Sequence, residues 1–332
     1  MTGVQLTAFP RGERARCSSQ RTPLALRPKL REAGSQERGQ VTMKGIRRYI
    51  VVGCAAICLA AAVPVVAGTL KCPPDSVKVG TNCIDTYEAS VWQIDPVSNK
   101  KLVNKVLAGK ATLADLTGGG ATQVAPAATC GETGDFVENF PYTGNWTPVP
   151  GSNPPSPGVY AVSIPGVQPS ACLTWFQANQ ACLLSGKRLL TNREWQGAAA
   201  STPDPGTDNG TTDCNVGNTF APSNTGSRSN CKSAWGVFDM VGNVDEYVAD
   251  WGDTASSCTD WSTSSPAGIP GHDFSCFGGP GGAGLASLPA ALFRGGDFEG
   301  AIFNGATAGV FAVNAHYDPS VSLFGVGFRC AR

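Results

Sequence analysis

Histidine is nearly absent, with 2 residues in 332; methionine occurs 3 times, and only 15% of the chain is charged. So few histidines give a zinc or haem site little to work with, and no Cys-x-x-Cys spacing supplies thiolates instead. Basic residues are scarce where a polyanion would need them. Residues 1–68 hold 11 Lys and Arg against 3 Asp and Glu, so the body keeps 14 of the 25 basic and 22 of the 25 acidic residues, about −8. Such a body lacks the clustered cations that neutralise phosphates, and nucleic acid is not an expected partner. Internal repeats are lacking too. What is present is 42% hydrophobic residues with 41 glycines, 24 prolines and 13 cysteines, enough apolar side chains for a core and too many for wholesale disorder.

From Met43 the chain reads Met-Lys-Gly-Ile-Arg-Arg, an almost unbroken apolar run from Tyr49 to Val66, then Ala67 and Gly68. A basic flank, an apolar stretch and small residues at Val65-x-Ala67 make residues 43–68 a secretory signal peptide in layout, with the mature chain starting near Gly68 or Thr69. After cleavage no stable membrane insertion is expected, and the chain is exported to a periplasm, cell surface or medium. A single membrane anchor is the rival, because about 18 apolar residues just span a bilayer. Cys72 is a poor lipid acceptor, since Lys71 precedes it. Residues 1–42, Arg-rich and without apolar periodicity, read as an extension ahead of a true start at Met43. Ten cysteines then remain, an even number that suits five bridges in an exported chain.

The mature chain, 69–332, reads as one α+β domain of low regular structure. An alternating stretch from Cys83 to Ala89 suits a strand. Residues 93–168 read as an irregular insertion containing a short helix between Val103 and Leu116. A helix is expected over Ser170–Ser185, capped by Ser170 and ended by Gly186, and helical geometry there would hold Cys172 and Cys182 about 15 Å apart, too far to pair. A second helix starts at Thr191, where Thr191 and Glu194 form a capping box, and runs into Ala198–Ala200. The run Gly278–Gly284 has no following Lys and is not a phosphate loop.

Four blocks stand in order: Ser185-Gly-Lys-Arg-Leu-Leu-Thr-Asn-Arg-Glu-Trp195, Trp235-Gly-Val-Phe-Asp-Met-Val-Gly-Asn-Val-Asp-Glu-Tyr247, Arg294-Gly-Gly-Asp297 and Gly327-Phe-Arg-Cys330. Together they resemble the formylglycine-generating enzyme family, the sulfatase-modifying-factor domain, with Cys83-Ile-Asp-Thr-Tyr-Glu88 as its opening strand. The resemblance implies a C-type-lectin-like fold stapled by disulfides. It also implies a bridge from Cys182 to Cys330. The remaining pairs, Cys72 with Cys83, Cys214 with Cys231 and Cys258 with Cys276, are local guesses, and Cys130 with Cys172 follows by elimination.

In that family two cysteines shortly after Arg-Gly-Gly hold copper and oxidise a substrate cysteine. Their places here are Gly300 and Gly305, which have no side chain to ligate a metal, so no copper and no formylglycine-generating activity are expected. The resemblance further implies one structural calcium held by Asp239, Glu246 and the carbonyls of Gly242 and Val244, oxygen donors of the kind calcium prefers. A turn cap at Asp239 and an Arg partner for Glu246 is the competing reading. A second family calcium site is not expected, since Ser227 or Arg228 stands where an Asp is wanted.

Asp245 and Asp297 replace a tryptophan and a serine of the pattern, and with Glu299 they form a candidate acidic ligand groove. The leading reading is a binding or structural module for an unknown small-molecule or protein ligand. The alternative is a cofactor-dependent oxidoreductase of the same family, of non-haem iron type, using His272, His316 and nearby acids.

Overall fold

The computed structural model describes residues 70–130, 158–204, 208–217, 220–254, 259–260, 273–276, 289–299 and 308–332, with backbone alone at 259–260 and 274–276. All belong to the unit Val66–Arg332.

Among the described residues three sheets carry the fold. The first joins the two ends of the domain: β1 (Ser76–Val79) and β2 (Asn82–Asp85) form a hairpin, and β13 (Cys330–Ala331) and β6 (Arg188–Leu189) extend it in the order β1-β2-β13-β6. Lys187 locks this junction. Its buried ammonium lies 2.7 Å from Asp75 and 2.8 Å from Asp85, and Arg332 reaches Asp75 at 2.9 Å. A buried charge with hydrogen-bonded partners of opposite sign is tolerated, whereas removing one partner strands the others.

The second sheet, β4-β3-β5, comprises β3 (Ser90–Ile94), β4 (Thr122–Val124) and β5 (Gly158–Val162). Helices α1 (Lys100–Leu107) and α2 (Leu113–Gly118) accompany it, and Leu102, Val106 and Leu116 pack with Trp92 and Tyr160. The described part of 93–168 is therefore more regular than its Gly, Pro and Thr content suggests. The expected single helix is two, because Gly109 takes φ +62° between them and a Cβ there would lie 2.2 Å from Asp75 Oδ1.

The third sheet runs β12-β7-β10-β11-β9-β8, built from β7 (Asp245–Asp253), β8 (Thr259–Asp260), β9 (Phe274–Cys276), β10 (Pro289–Gly295), β11 (Gly309–Asn314) and β12 (Val326–Phe328). The antiparallel pair β7 and β10 sets Arg294 opposite Glu246 in register.

Two further helices follow among the described residues. The first, α3, spans Trp175–Leu184, five residues later than Ser170 would start it. Ser170 is taken by the second sheet instead, accepting from Val91 N and donating to Val124 O. Cys172 then adopts φ +55°, which no helix allows, and Thr174 with Gln177 forms the capping box. Cys172 lies outside the helix, so the 15 Å helical spacing does not apply to it. The second, α4, spans Asn192–Ala198 with the expected box of Thr191 and Glu194.

Four bridges match the expected pairs: Cys72–Cys83, Cys130–Cys172, Cys182–Cys330 and Cys214–Cys231. Cys258 and the side chain of Cys276 lie outside the described residues. The Cys182–Cys330 bridge ties α3 to β13 within the largest core cluster, beside Leu173, Tyr247, Phe293 and Phe328. Among the described residues no helix is long and apolar enough to cross a membrane.

Candidate functional site

Glu246 leaves the start of β7 into a fully buried position, and its carboxylate is saturated. Arg329, two residues before the chain's last strand ends, donates from Nε to both oxygens at 2.8 and 2.7 Å and from Nη2 to Oε1. Trp195 Nε1 of α4 adds a donor to Oε2 at 2.8 Å. Two further buried carboxylates face the same guanidinium. Glu88 accepts from Asn243 Nδ2 and Val244 N, and burial, then Asp239 and Glu246, push its pKa well above the usual range. Asp239, at φ +57°, accepts from Gly226 N at its Oδ2, and burial raises it to about 7. Its Oδ1 is buried without a partner.

This arrangement bears on the calcium set of Asp239, Gly242, Val244 and Glu246. A hard cation needs oxygens with free lone pairs. Asp239 Oδ1 qualifies. Glu246 does not, since each of its oxygens already takes two donors. The four-residue set as a whole does not fit a cation, and Glu246 belongs to Arg329. Among the described residues no group of three or more His, Cys, Asp or Glu is placed to hold a metal.

The acidic trio lies next to this centre. Asp245 and Asp297 are each only 3% exposed, and Glu299 is half-buried. Asp245 Oδ1 accepts from Gly296 N, and Asp297 Oδ1 from Glu299 N. Burial, then the neighbouring Asp297, raises Asp245 well above the usual range, and burial raises Asp297 to about 7. The two aspartates therefore stand inside the protein as a mutually repelling pair, with Glu299 alone reaching solvent. Gly300, Gly305 and His272 lie outside the described residues.

A family model described as Sulfatase-modifying factor enzyme 1-like domain matches residues 93–332. The chain belongs to that family. Its α+β architecture, short helices and the four disulfides among the described residues are those of the expected C-type-lectin-like, formylglycine-generating-enzyme fold. No curated protein matches. Among solved structures, the Major Tropism Determinant P3c variant is 17% identical over 78% of this chain and 52% of its own, with a TM-score of 0.36. CarF is 15% identical over 49% and 67%, with a TM-score of 0.30. Treponema denticola variable protein 1 is 19% identical over 49% and 70%, with a TM-score of 0.28. The chain spans about half the length of the Major Tropism Determinant variants it matches.

Three residues of this family member's charged centre were not singled out from its sequence. Arg329 was visible only as part of Gly-Phe-Arg-Cys, and Glu88 only as the end of the opening strand. Asn243, at φ +62°, joins Glu88 to the loop of Asn215 and Ser223. Its signal was the Gly-Asn pair inside the second block, since Asn tolerates the left-handed region better than most residues.

His316 stands beside Tyr317 with its Nδ1 buried and unpartnered, and among the described residues no acids gather around it as an iron site requires. The buried Arg294 of Arg-Gly-Gly holds β11 and α4 together through Ala312 O, Gln196 and Asn192, with its guanidinium over the Trp195 ring.

Proposed function

We propose that this member of the sulfatase-modifying-factor family is exported and binds a ligand, and that it has no formylglycine-generating activity. The supporting observation is the state of Cys330. It is the sole cysteine downstream of Arg294, and it is fully buried in a disulfide with Cys182. Copper(I) oxidation needs a pair of soft thiolates at one site. A disulfide sulfur in the core offers neither thiolate nor access, and Gly300 and Gly305 offer no side chain.

Export fits the four disulfides, which persist in oxidising compartments, and fits the signal-like segment 43–68 ahead of a mature start near Thr69. In this reading residues 1–42 precede the true initiator and Cys258 pairs with Cys276 as the fifth bridge. Calcium enters at Asp239 with the Gly242 and Val244 carbonyls, while Glu246 stays with Arg329. Of the acidic trio only Glu299 would meet the ligand, a small molecule or protein and not nucleic acid, while Asp245 and Asp297 stay buried behind it.

Copper(I) titration of the purified chain against a chromophoric chelator tests the reading. No copper should be withdrawn from the chelator. Stoichiometric uptake of copper, or iron co-purifying at one atom per chain, would count for the oxidoreductase alternative.

A further inference from the structure

Between the β1–β2 hairpin and α4 lies an open cleft of about 530 Å³, whose lining includes neither the acidic trio nor Glu246 and Asp239. Trp235 forms one wall. Its Nε1 donates to Gly197 O at 2.9 Å, which fixes the ring, yet the residue is 47% exposed. Among the described residues no other ring or cation stacks on it, so nearly half of a fixed indole is left open to a ligand. Asn82 also lines the cleft. One of its N–H groups donates to Glu194 Oε1 at 2.7 Å, and Glu194 is itself held by Arg188 and Thr191 N. That bond orients the amide and leaves its carbonyl oxygen and second N–H without partners among the described residues. Thr81 is exposed at the hairpin turn, and Arg193, exposed on α4, has no paired acid among the described residues.

These groups narrow the ligand class. A fixed indole face favours a flat apolar surface. An oriented amide, a hydroxyl and a guanidinium ask for several donors and acceptors around that surface. Glu194 is neutralised by Arg188, which leaves Arg193 as the cleft's unpaired charge among the described residues, and in an acidic body its guanidinium can donate to hydroxyls while a cationic ligand is disfavoured. A pyranose ring has this pattern: an apolar face of C–H groups and a rim of hydroxyls. The volume lies within the range of small-ligand sites.

We propose that this cleft binds a saccharide, with one sugar ring stacked on Trp235 and its hydroxyls bonded to Asn82, Thr81 and Arg193. The inference rests on the reading of the chain as a binding module and places a sugar at a site separate from the acidic trio.

The test is titration of the full chain with glucose, galactose, mannose, N-acetylglucosamine and their common disaccharides, followed by calorimetry and by tryptophan fluorescence. At least one should bind saturably. Trp235→Ala should weaken it about tenfold or more, Trp235→Phe less, and Asn82→Ala should also weaken it. Trp251→Ala, at another exposed tryptophan, should change nothing, and all variants should melt as the parent does. Saturable binding to none of these sugars, or undiminished binding by folded Trp235→Ala, overturns the proposal. Such a failure would leave the copper titration unaffected, so the two readings fail separately.

Discussion

Arg329 and Glu246 form a buried ion pair 83 residues apart in sequence, in which the guanidinium Nε donates to both carboxylate oxygens. The pair joins the first residues of β7 to the turn between β12 and β13, with Trp195 of α4 as third member. It therefore clamps two sheets and a helix at one point.

The clamp predicts a large cost for Glu246→Ala. Arg329 would remain buried without its counter-charge, a loss of about 3–5 kcal/mol. Because Glu246 is saturated by Arg329 and Trp195, the loss should be the same in calcium and in chelator. Urea melts of parent and variant under both conditions check it. A variant that loses stability in calcium alone would return Glu246 to the metal.

The orphaned Asp239 Oδ1 gives the calcium proposal its own check. Calcium should raise the parent's melting temperature, and Asp239→Ala should abolish that rise. An unchanged melting temperature when chelator replaces calcium would remove the ion from the account.

These expectations show where sequence was legible and where it was not. The start of α4 was readable because Thr191 and Glu194 cap it from within four residues. The start of α3 was not, because Ser170 has the chemistry of a cap and the sheet, far away in sequence, claimed its hydroxyl. Gly109 split one expected helix into two through an approach to Asp75 that no local pattern records. The partners of the four described bridges were legible by family resemblance for Cys182 and Cys330, by proximity for the two local pairs and by elimination for Cys130 and Cys172. At the site, Glu246 and Asp239 could be named from their motif, but what faces each of them is set by Arg329 and Glu88, which enter from other elements. The burial of Asp245 and Asp297 was equally hidden, since charge in a loop motif does not say which way the loop folds.

Asp297 should govern part of the pH dependence. Its folded pKa is raised to about 7 from an ordinary value of 3.8. The unfolded chain therefore ionises first, and stability from this group is full below about pH 4 and declines as pH rises to about 7. Asp297→Asn keeps the shape and cannot ionise. Its melting temperature should match the parent's near pH 4 and exceed it above pH 7, by at least about 1 kcal/mol in stability. A gap that is constant across that window would contradict the assignment.

The Cys182–Cys330 bridge spans 148 residues. In the chain-entropy model a loop of that size contributes up to roughly 5 kcal/mol. The double variant Cys182→Ala, Cys330→Ala should lose about 2–5 kcal/mol in urea melts. Non-reducing peptide mapping should recover the four bridges together with Cys258–Cys276, and free thiols at Cys182 and Cys330 would contradict the pairing.

The central claim is that this chain keeps its family's fold without its family's oxidation chemistry. Incubating the protein with copper(I), a sulfatase-motif peptide and oxygen, then weighing the peptide by mass spectrometry, tests it most directly. The account predicts a peptide of unchanged mass with its cysteine intact; conversion of that cysteine to the aldehyde would contradict it.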